Sequence, residues 1–216
     1  MVNAQMINAR LDDGYAKAAA VLGLPYQQYR AAGPNNPMLT PMETLNVWAT
    51  TDAGLKGTTP MLFGKPQWFA AMERDNLQMG DYISGALGVF FVLGLDVSAP
   101  VGLIYCNRTI SIARAQDVLQ PGENAQRFGI AVQAATDFMV GWPASVLQLG
   151  SKMGSTGMNL PSDAKAPSVE ILLPACVPQI RFNDIVTDDN GQRYMVSTVE
   201  QSAPGWRLTG ELQPAG

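Results

Sequence analysis

The chain has 216 residues, of which 47% are apolar and only 15% charged, and its formal net charge is −4. This acidic balance offers no basic footprint for nucleic acid or anionic lipid, and no apolar run approaches the roughly 20 residues of a membrane span. Soluble domains usually carry about a quarter charged residues, so we expect other subunits to cover much of this surface. The N-terminus lacks the layout of a signal peptide, which favours a chain made and used, or assembled into a particle, in a cytoplasm.

The first predicted element is a helix over residues 3–22. Asn3 can act as its N-cap, and Gly23 followed by Pro25 ends it. Gly14 weakens the centre by about 1 kcal/mol relative to alanine, so this terminal helix needs a surface to dock on, and a neighbouring subunit is one candidate. Its apolar side is formed by Met6, Ile7, Leu11, Val21 and Leu22.

Residues 26–41 follow as an extended, polyproline-like segment, because Pro25, Pro34, Pro37 and Pro41 punctuate it. Two interpretations stay open. The segment is either an arm that lies along a partner or an ordinary connector wrapped on its own domain. As an arm, it would present Tyr26, Tyr29, Arg30 and Met38.

The rest of the chain predicts short strands separated by turns. Alternating or β-branched patterns favour strands over residues 41–48, 80–95, 101–105, 109–112, 142–149, 168–174 and 206–212. Residues 66–72 fit one helical turn or a strand, and residues 129–140 fit a strand or a short helix. Residues 150–167 read as a flexible loop or linker that carries Lys152, Met153 and Met158.

One pattern occurs twice. Each copy has an aspartate, a short β-type run ending in a hydroxyl residue, three spacers, a glycine, two spacers and an aromatic residue. The copies are Asp81-Tyr82-Ile83-Ser84 with Gly88 and Phe91, and Asp184-Ile185-Val186-Thr187 with Gly191 and Tyr194. Each copy predicts a β-hairpin, with Asn190-Gly191 as a type I′ turn in the second. We interpret Asp81 and Asp184 as strand-entry residues that bind nearby backbone.

These patterns predict a mainly β fold: two small β-barrel-like units, suggestive of internal duplication, with an N-terminal helix and an extended proline-rich arm. The predicted divisions are residues 1–40 (helix and arm), 41–149 (first β-unit), 150–167 (loop) and 168–216 (second β-unit). The boundary between the two β-units is expected within residues 113–167.

No catalytic, cofactor or metal signature is present in the sequence. The chain has no histidine, which removes the commonest general base and metal ligand. The glycine-rich residues 150–157 do not match a phosphate-binding loop, and Asp188-Asp189-Asn190-Gly191 fits a turn better than a calcium loop. Cys106 and Cys176 are most simply small buried hydrophobes, and a disulfide would require the two units to pack face to face there. No enzyme is indicated.

Several segments resemble virion proteins of tailed phages and prophages. These are residues 14–19 (GYAKAA) with 22–37, 107–109 (NRT), 141–145 (GWPAS), 189–194 (DNGQRY) and 205–208 (GWRL). The unit at residues 183–196 is also similar to small β-barrel proteins of the head–tail junction. The resemblance implies a structural component of the tail, baseplate or neck, and it assigns no functional residues.

We therefore expect a non-enzymatic virion subunit, assembled in the host cytoplasm into a homo- or hetero-oligomeric ring or wedge with other virion proteins. A tail, baseplate or tube-adaptor role is favoured over a head–tail neck adaptor or stopper. The expected partner contacts are Tyr26, Tyr29, Arg30, Met38, Lys152, Met153 and Met158.

Two rivals remain. A carbohydrate- or peptide-binding module would use Trp142, Trp206 and Tyr194 as an exposed stacking platform. A small hydrolase would need an acidic cluster that binds a metal in the folded state.

Overall fold

The computed structural model describes residues 4–55, 64–96, 98–114, 135–149 and 167–213. Within these ranges one α-helix, α1 (Ala4–Leu22), precedes twelve strands. The strands are β1 (Leu24–Tyr29), β2 (Pro41–Thr50), β3 (Gln67–Ala71), β4 (Tyr82–Gly85), β5 (Gly88–Gly94), β6 (Val101–Cys106), β7 (Arg108–Arg114), β8 (Thr136–Gln148), β9 (Ser168–Pro174), β10 (Ile185–Asp188), β11 (Arg193–Gln201) and β12 (Gly205–Leu212). The mainly β prediction is confirmed, and residues 67–71 are a strand rather than a helical turn.

The strands close into two six-stranded antiparallel barrels. The first has the order β1-β2-β3-β6-β5-β4 and the second β7-β8-β9-β12-β11-β10. The two barrels therefore have the same topology, and they follow one another along the chain. Alternate residues of each strand point inward, as in β7, where Ile110 and Ile112 are buried.

The two barrels also share their pairing register. The pairs Tyr29–Tyr82 and Tyr26–Gly85 of the first barrel match Ala113–Ile185 and Ile110–Asp188 of the second. The β5–β6 and β11–β12 ladders shift register at corresponding places, after Val92 and Val196. The identical topology, with the same register in the closing ladder and the same bulge in one further ladder, supports an internal duplication of one barrel unit.

The β10–β11 hairpin is one residue longer than the β4–β5 hairpin. Beyond the turn, the repeated sequence pattern therefore aligns residues that are one position apart in the two barrels. Tyr82 pairs with Phe91, whereas Ile185 pairs with Met195. Only Gly191 of the predicted type I′ pair has a positive φ, at 77°. The turn is therefore a three-residue loop, closed by the Asp188 amide donating to the Gln192 carbonyl, and the type I′ prediction was wrong.

In each barrel a partly exposed arginine binds a buried aspartate where the barrel closes, a pair here called the clamp. Arg30 follows β1 and donates to Asp81, just before β4, from Nε and Nη2 at 2.7 Å each. Arg114 ends β7 and donates to Asp184, just before β10, with the same two distances. Both carboxylates are only 2% exposed, and their hydrogen bonds raise the pKa of each arginine.

The clamps also fix the backbone that leads into β4 and β10. The amide three residues before each aspartate donates to the same carboxylate, from Gln78 at 2.8 Å and from Arg181 at 2.7 Å. The arginine in turn donates to the carbonyl five residues before the aspartate, that of Asn76 or Gln179. The prediction that both aspartates bind nearby backbone is confirmed, and their arginine partners were not predicted.

The chain passes between the barrels at Asn107 alone, with no linker. The first barrel therefore spans 24–106 and the second 108–212, so the crossing lies outside the expected range 113–167. The composition of the sequence does not change at this crossing, because β6 and β7 both carry apolar residues on their buried faces. β1, assigned by sequence to the arm, is a barrel strand.

The proline-rich segment is a connector on its own molecule rather than an arm free to reach a partner. The Pro34 carbonyl accepts a hydrogen bond from the Trp142 indole at 2.7 Å, and the Asn36 side chain lies against Gly141. Met38 packs against the core of the second barrel. The segment is held because it fills the space between the two barrels.

The outer face of the first barrel packs on the second. β5 and β6 lie against β8 and β9, and Tyr82 crosses the interface to donate to the Pro143 carbonyl at 2.9 Å. The ring of Tyr82 also meets Trp142 edge-on at 6.2 Å between centroids. Cys106 and Cys176 are both free, so the two barrels meet without a disulfide. Cys106 is buried as expected, whereas Cys176 is exposed, so the expectation of a buried residue there was wrong.

Helix α1 lies on β2 and β3 of the first barrel. Ala19 is buried there, and a Cβ at Gly23 would overlap the Ala19 carbonyl oxygen, so the chain needs glycine where the helix meets the barrel. Arg74 holds the middle of the helix. Its guanidinium lies 3.3 Å from Asp12 and 5.0 Å from the centre of the Tyr15 ring.

Removing the arginine of either clamp should leave a buried, uncompensated carboxylate. Arg30→Met and Arg114→Met are each expected to lower the free energy of unfolding by about 2–4 kcal/mol, the lower value reflecting partial exposure of the arginine. Urea denaturation measures the loss. Arg207→Met is the matched control, because Arg207 is exposed while pairing with Glu170. A clamp variant as stable as this control would contradict the assigned role.

Arg74→Ala should loosen α1, because the helix loses its ion pair, its cation–π contact and the arginine's bonds to the Asp96 and Ala99 carbonyls. Amide hydrogen exchange in α1 is expected to speed up while exchange in β5 and β6 stays unchanged. Lys17→Ala, on the exposed side of the same helix, is the control. Equal protection of α1 in both variants would show that Arg74 does not hold it.

Candidate functional site

Four of the predicted partner contacts are used inside the molecule. Tyr26 is buried in the core of the first barrel, and its hydroxyl accepts from the Leu87 amide at 3.2 Å. Arg30 belongs to a clamp, and Tyr29 and Met38 pack half-buried against the core of the second barrel. The remaining predicted contacts, Lys152, Met153 and Met158, lie outside the described residues.

The exposed side of α1 carries a group of large hydrophobic side chains. The helix buries Ala19 and half-buries Tyr15, and its predicted apolar side lies next to this docked side and is exposed. Ile7, Leu11 and Leu22 lie within about 60° of one another around the helix, at 3.6 residues per turn. Large exposed hydrophobic residues on and beside α1 are Met6, Ile7, Leu11, Val21, Leu22 and Leu24.

We call this surface the helix face, defined by Ile7, Leu11 and Leu22, which are 48%, 37% and 56% exposed. An apolar stripe on a docked helix normally faces its own core. Here the docked side is instead built from small and polar residues, Ala19 and Asp12 among them, together with Tyr15. The apolar stripe is therefore exposed on the described part of the molecule.

A cleft of about 350 Å³ opens where the two barrels and the connector meet. Its mouth carries Arg108 and Asp189, loosely paired at 3.8 Å, and its walls include Met38, Val89 and Pro143. One cation, one anion and an apolar wall could hold a small zwitterionic or peptide-like group. The neighbouring Asn107 is not free to contribute its amide, which is bonded on both atoms to the backbone of Val146.

The described residues contain no group of three or more histidine, cysteine, aspartate or glutamate side chains able to hold a metal ion. Burial raises the pKa of both the Cys106 and the Cys176 thiols, so neither is an activated nucleophile. No helix in the described ranges is both long and apolar enough to cross a membrane.

The three rings proposed as a stacking platform are buried together. Trp142, Trp206 and Tyr194 are 0%, 5% and 4% exposed and belong to the core of the second barrel. Their expected role was wrong because all three rings are buried rather than exposed. A binding module built on these rings is excluded.

Comparison with known proteins adds no relative: no family model, no curated protein and no solved structure matches this chain.

Sequence reasoning identified the apolar residues of the helix face and expected the helix to dock on a surface, with a neighbouring subunit as one candidate. It missed the clamps and the cleft. Arg30 and Arg114 do carry a common signal, since each follows the first strand of its repeat. Recognising that Arg30 and Arg114 are equivalent requires the two repeats to be aligned by their strand pairing, which the sequence alone does not show.

Tyr82 should report on the contact between the barrels. Tyr82→Phe removes the bond to the Pro143 carbonyl and is expected to cost about 1 kcal/mol at neutral pH. Burial raises the pKa of Tyr82 well above 10.0, so its contribution is constant below that pH and is lost as pH rises further. Urea denaturation at neutral pH and above pH 10 should therefore show the two proteins converging at high pH. A constant difference between them would contradict this assignment.

Proposed function

We propose that the chain is a non-enzymatic structural subunit of a phage tail, baseplate or tube adaptor, which assembles into a ring or wedge with other virion proteins. The observation that carries the proposal is the helix face, an apolar stripe displayed on a docked helix at one end of the molecule. Apolar surface of this kind on a protein with few charges is typical of association with other chains.

The tandem barrels support the proposal in a second way. Each barrel is closed, so neither offers a free strand edge to a partner. The two barrels and the connector pack with one another through buried aromatic rings, which makes a firm body with contact surfaces at its ends. A subunit that transmits position or force within an assembly needs such a body.

The sequence analysis assigned the contact with partners to the proline-rich arm, and the structure moves this assignment to α1. Residues 31–40 are occupied within the molecule, so α1 replaces them as the assembly element. The same surface fits a head–tail neck protein equally well, and this alternative remains. The virion protein that binds α1 would distinguish a tail or baseplate role from a neck role.

A second candidate function has one observation in its favour. The cleft with Arg108 and Asp189 at its mouth could bind a peptide or small ligand, which would make the chain a binding module. We rank it second because Arg108 and Asp189 already pair with each other.

The assembly proposal is tested by measuring the mass of the chain by light scattering, alone and mixed with the other proteins of the particle. Co-assembly is expected, with α1 becoming protected from protease. Leu22→Lys should weaken co-assembly by about tenfold or more, as for a central contact residue. Leu39→Lys, at another exposed leucine, should leave it unchanged.

Tail and baseplate proteins, rather than neck proteins, should be the ones that protect α1. A compact monomer indifferent to all of these partners would overturn the proposal. Peptide and glycan binding at the cleft, abolished by Arg108→Ala, would then support the binding module.

A further inference from the structure

The cleft between the two barrels carries an ion pair that leaves both of its partners largely unused. The Nε atom of Arg108 lies 3.8 Å from Oδ1 of Asp189, beyond hydrogen-bond distance. The described residues offer neither side chain any other polar partner within bonding distance. Arg114, with a comparable exposure, instead donates two hydrogen bonds of 2.7 Å to Asp184. Arg108 therefore keeps its donors, and Asp189 its acceptors, for a further group.

The neighbouring carboxylate, Asp188, is not open in the same way. It is buried, and its Oδ1 atom accepts hydrogen bonds from the amides of Asn190 and Gln192 at 3.0 and 2.8 Å. Its Oδ2 atom lies 3.3 Å from the Tyr194 hydroxyl. The open charges at the mouth of the cleft are thus one cation and one anion, which together favour a ligand that carries both signs of charge.

The wall beside this pair is apolar and comes from three parts of the molecule. The first barrel provides Val89, the connector provides Met38 and the second barrel provides Pro143. Val89 and Met38 are half-buried, so each keeps part of its surface for a ligand. A molecule that fills the cleft must therefore carry a cation and an anion at one end and a hydrocarbon body at the other.

The frame of the cleft is held in place by bonds within the chain. Asn107, which joins the barrels, binds the backbone of Val146 with both atoms of its amide, at 2.7 and 2.8 Å. The Asn36 side chain lies against Gly141, whose φ of 70° is unfavourable for a residue with a side chain. A preformed site loses less entropy on binding than one that must first be ordered, so it can hold a small ligand.

We propose that the cleft binds a free α-amino acid with an apolar side chain. Its carboxylate meets the guanidinium of Arg108, its ammonium group meets Asp189, and its side chain packs on Met38, Val89 and Pro143.

The spacing of the protein charges selects an amino acid rather than a peptide. Arg108 and Asp189 are 3.8 Å apart, so the two charges of the ligand must also lie close together. In an α-amino acid both charged groups are bonded to one carbon atom, whereas each added residue can separate the ends of a peptide by a further ~3.5 Å. The volume of about 350 Å³ is at the small end of the range for ligand pockets and also favours a small molecule.

This inference gives the cleft a ligand class and does not rest on the assembly proposal, because it concerns none of the residues of the helix face. It is tested on the full chain alone, without other particle proteins. Its failure therefore leaves the co-assembly experiment to be decided separately, and the reverse also holds.

Isothermal titration calorimetry with L-leucine tests the site, and one molecule is expected to bind per chain. Isoamylamine lacks the carboxylate of leucine, and isocaproate lacks its ammonium group. Each of these two analogues should bind at least about tenfold more weakly than leucine, because one charge of the protein is left without a partner. Leucine should also raise the midpoint of thermal unfolding, since it binds only the folded chain.

One variant at each charge separates the two contacts. Arg108→Gln should weaken the binding of leucine and of isocaproate by about tenfold or more. Asp189→Asn should weaken the binding of leucine and of isoamylamine, but it should strengthen the binding of isocaproate, because a repelling carboxylate is removed. A merely structural role of Asp189 would not change the affinities for these ligands in opposite directions.

Arg193→Gln is the matched control, because Arg193 is exposed and lies outside the cleft, and it should bind leucine like the wild type. Arg108→Lys is the second variant at Arg108, should Arg108→Gln fail to give the far-ultraviolet circular dichroism of the wild type. It keeps the charge but loses the paired donors, so it should still bind leucine more weakly than the wild type.

Four results would overturn the inference. Absence of leucine binding at millimolar concentration shows that the cleft is not an amino-acid site. Equal affinity for leucine, isoamylamine and isocaproate shows an apolar site that does not recognise the charges. Unchanged leucine binding in the variants of both charges places the ligand elsewhere. Tighter binding of the dipeptide alanyl-leucine than of leucine assigns the cleft to the end of a peptide.

Discussion

The two clamps are the interaction on which the rest of the structure depends. With this strand order, each barrel closes when its first strand pairs with its fourth, β1 with β4 and β7 with β10. Arg30 and Arg114 lie where that pairing begins. Each arginine binds both oxygens of a buried aspartate and a backbone carbonyl, so the loop entering β4 or β10 has a single arrangement. A buried carboxylate is tolerated because it accepts several hydrogen bonds, four at Asp81 and three at Asp184. The clamp thus sets the register of the barrel rather than adding to its apolar core.

The two barrels differ at equivalent surface positions according to whether another part of the molecule covers that position. Tyr82 and Phe91 are aromatic because another barrel covers them, while Ile185 and Met195 at the same places are half-exposed. The same rule fits the outer face of β10–β12 in the described chain, where the exposed Glu211 occupies the place of the buried Ile104. The fold is repeated, and the surfaces have diverged according to what each one touches.

Sequence patterns predicted the β-class, the helix and most strands, because alternation and turn residues are local signals. They predicted the aspartates of the clamps but not the arginines, since Arg30 and Asp81 are separated by two strands and meet only when the barrel closes. The crossing at Asn107 was missed because adjacent barrels share a continuous hydrophobic pattern without a linker. The helix face illustrates the remaining limit. Its apolar residues are evident in the sequence, but which side of α1 meets the barrel depends on Arg74, Tyr15 and Ala19.

Closed barrels restrict how such a molecule can associate. With every strand paired on both sides, no edge remains for strand addition, so partners must use faces. A contact between faces depends on side chains rather than on backbone pairing, so its strength follows the apolar area and the charges of the two surfaces that meet.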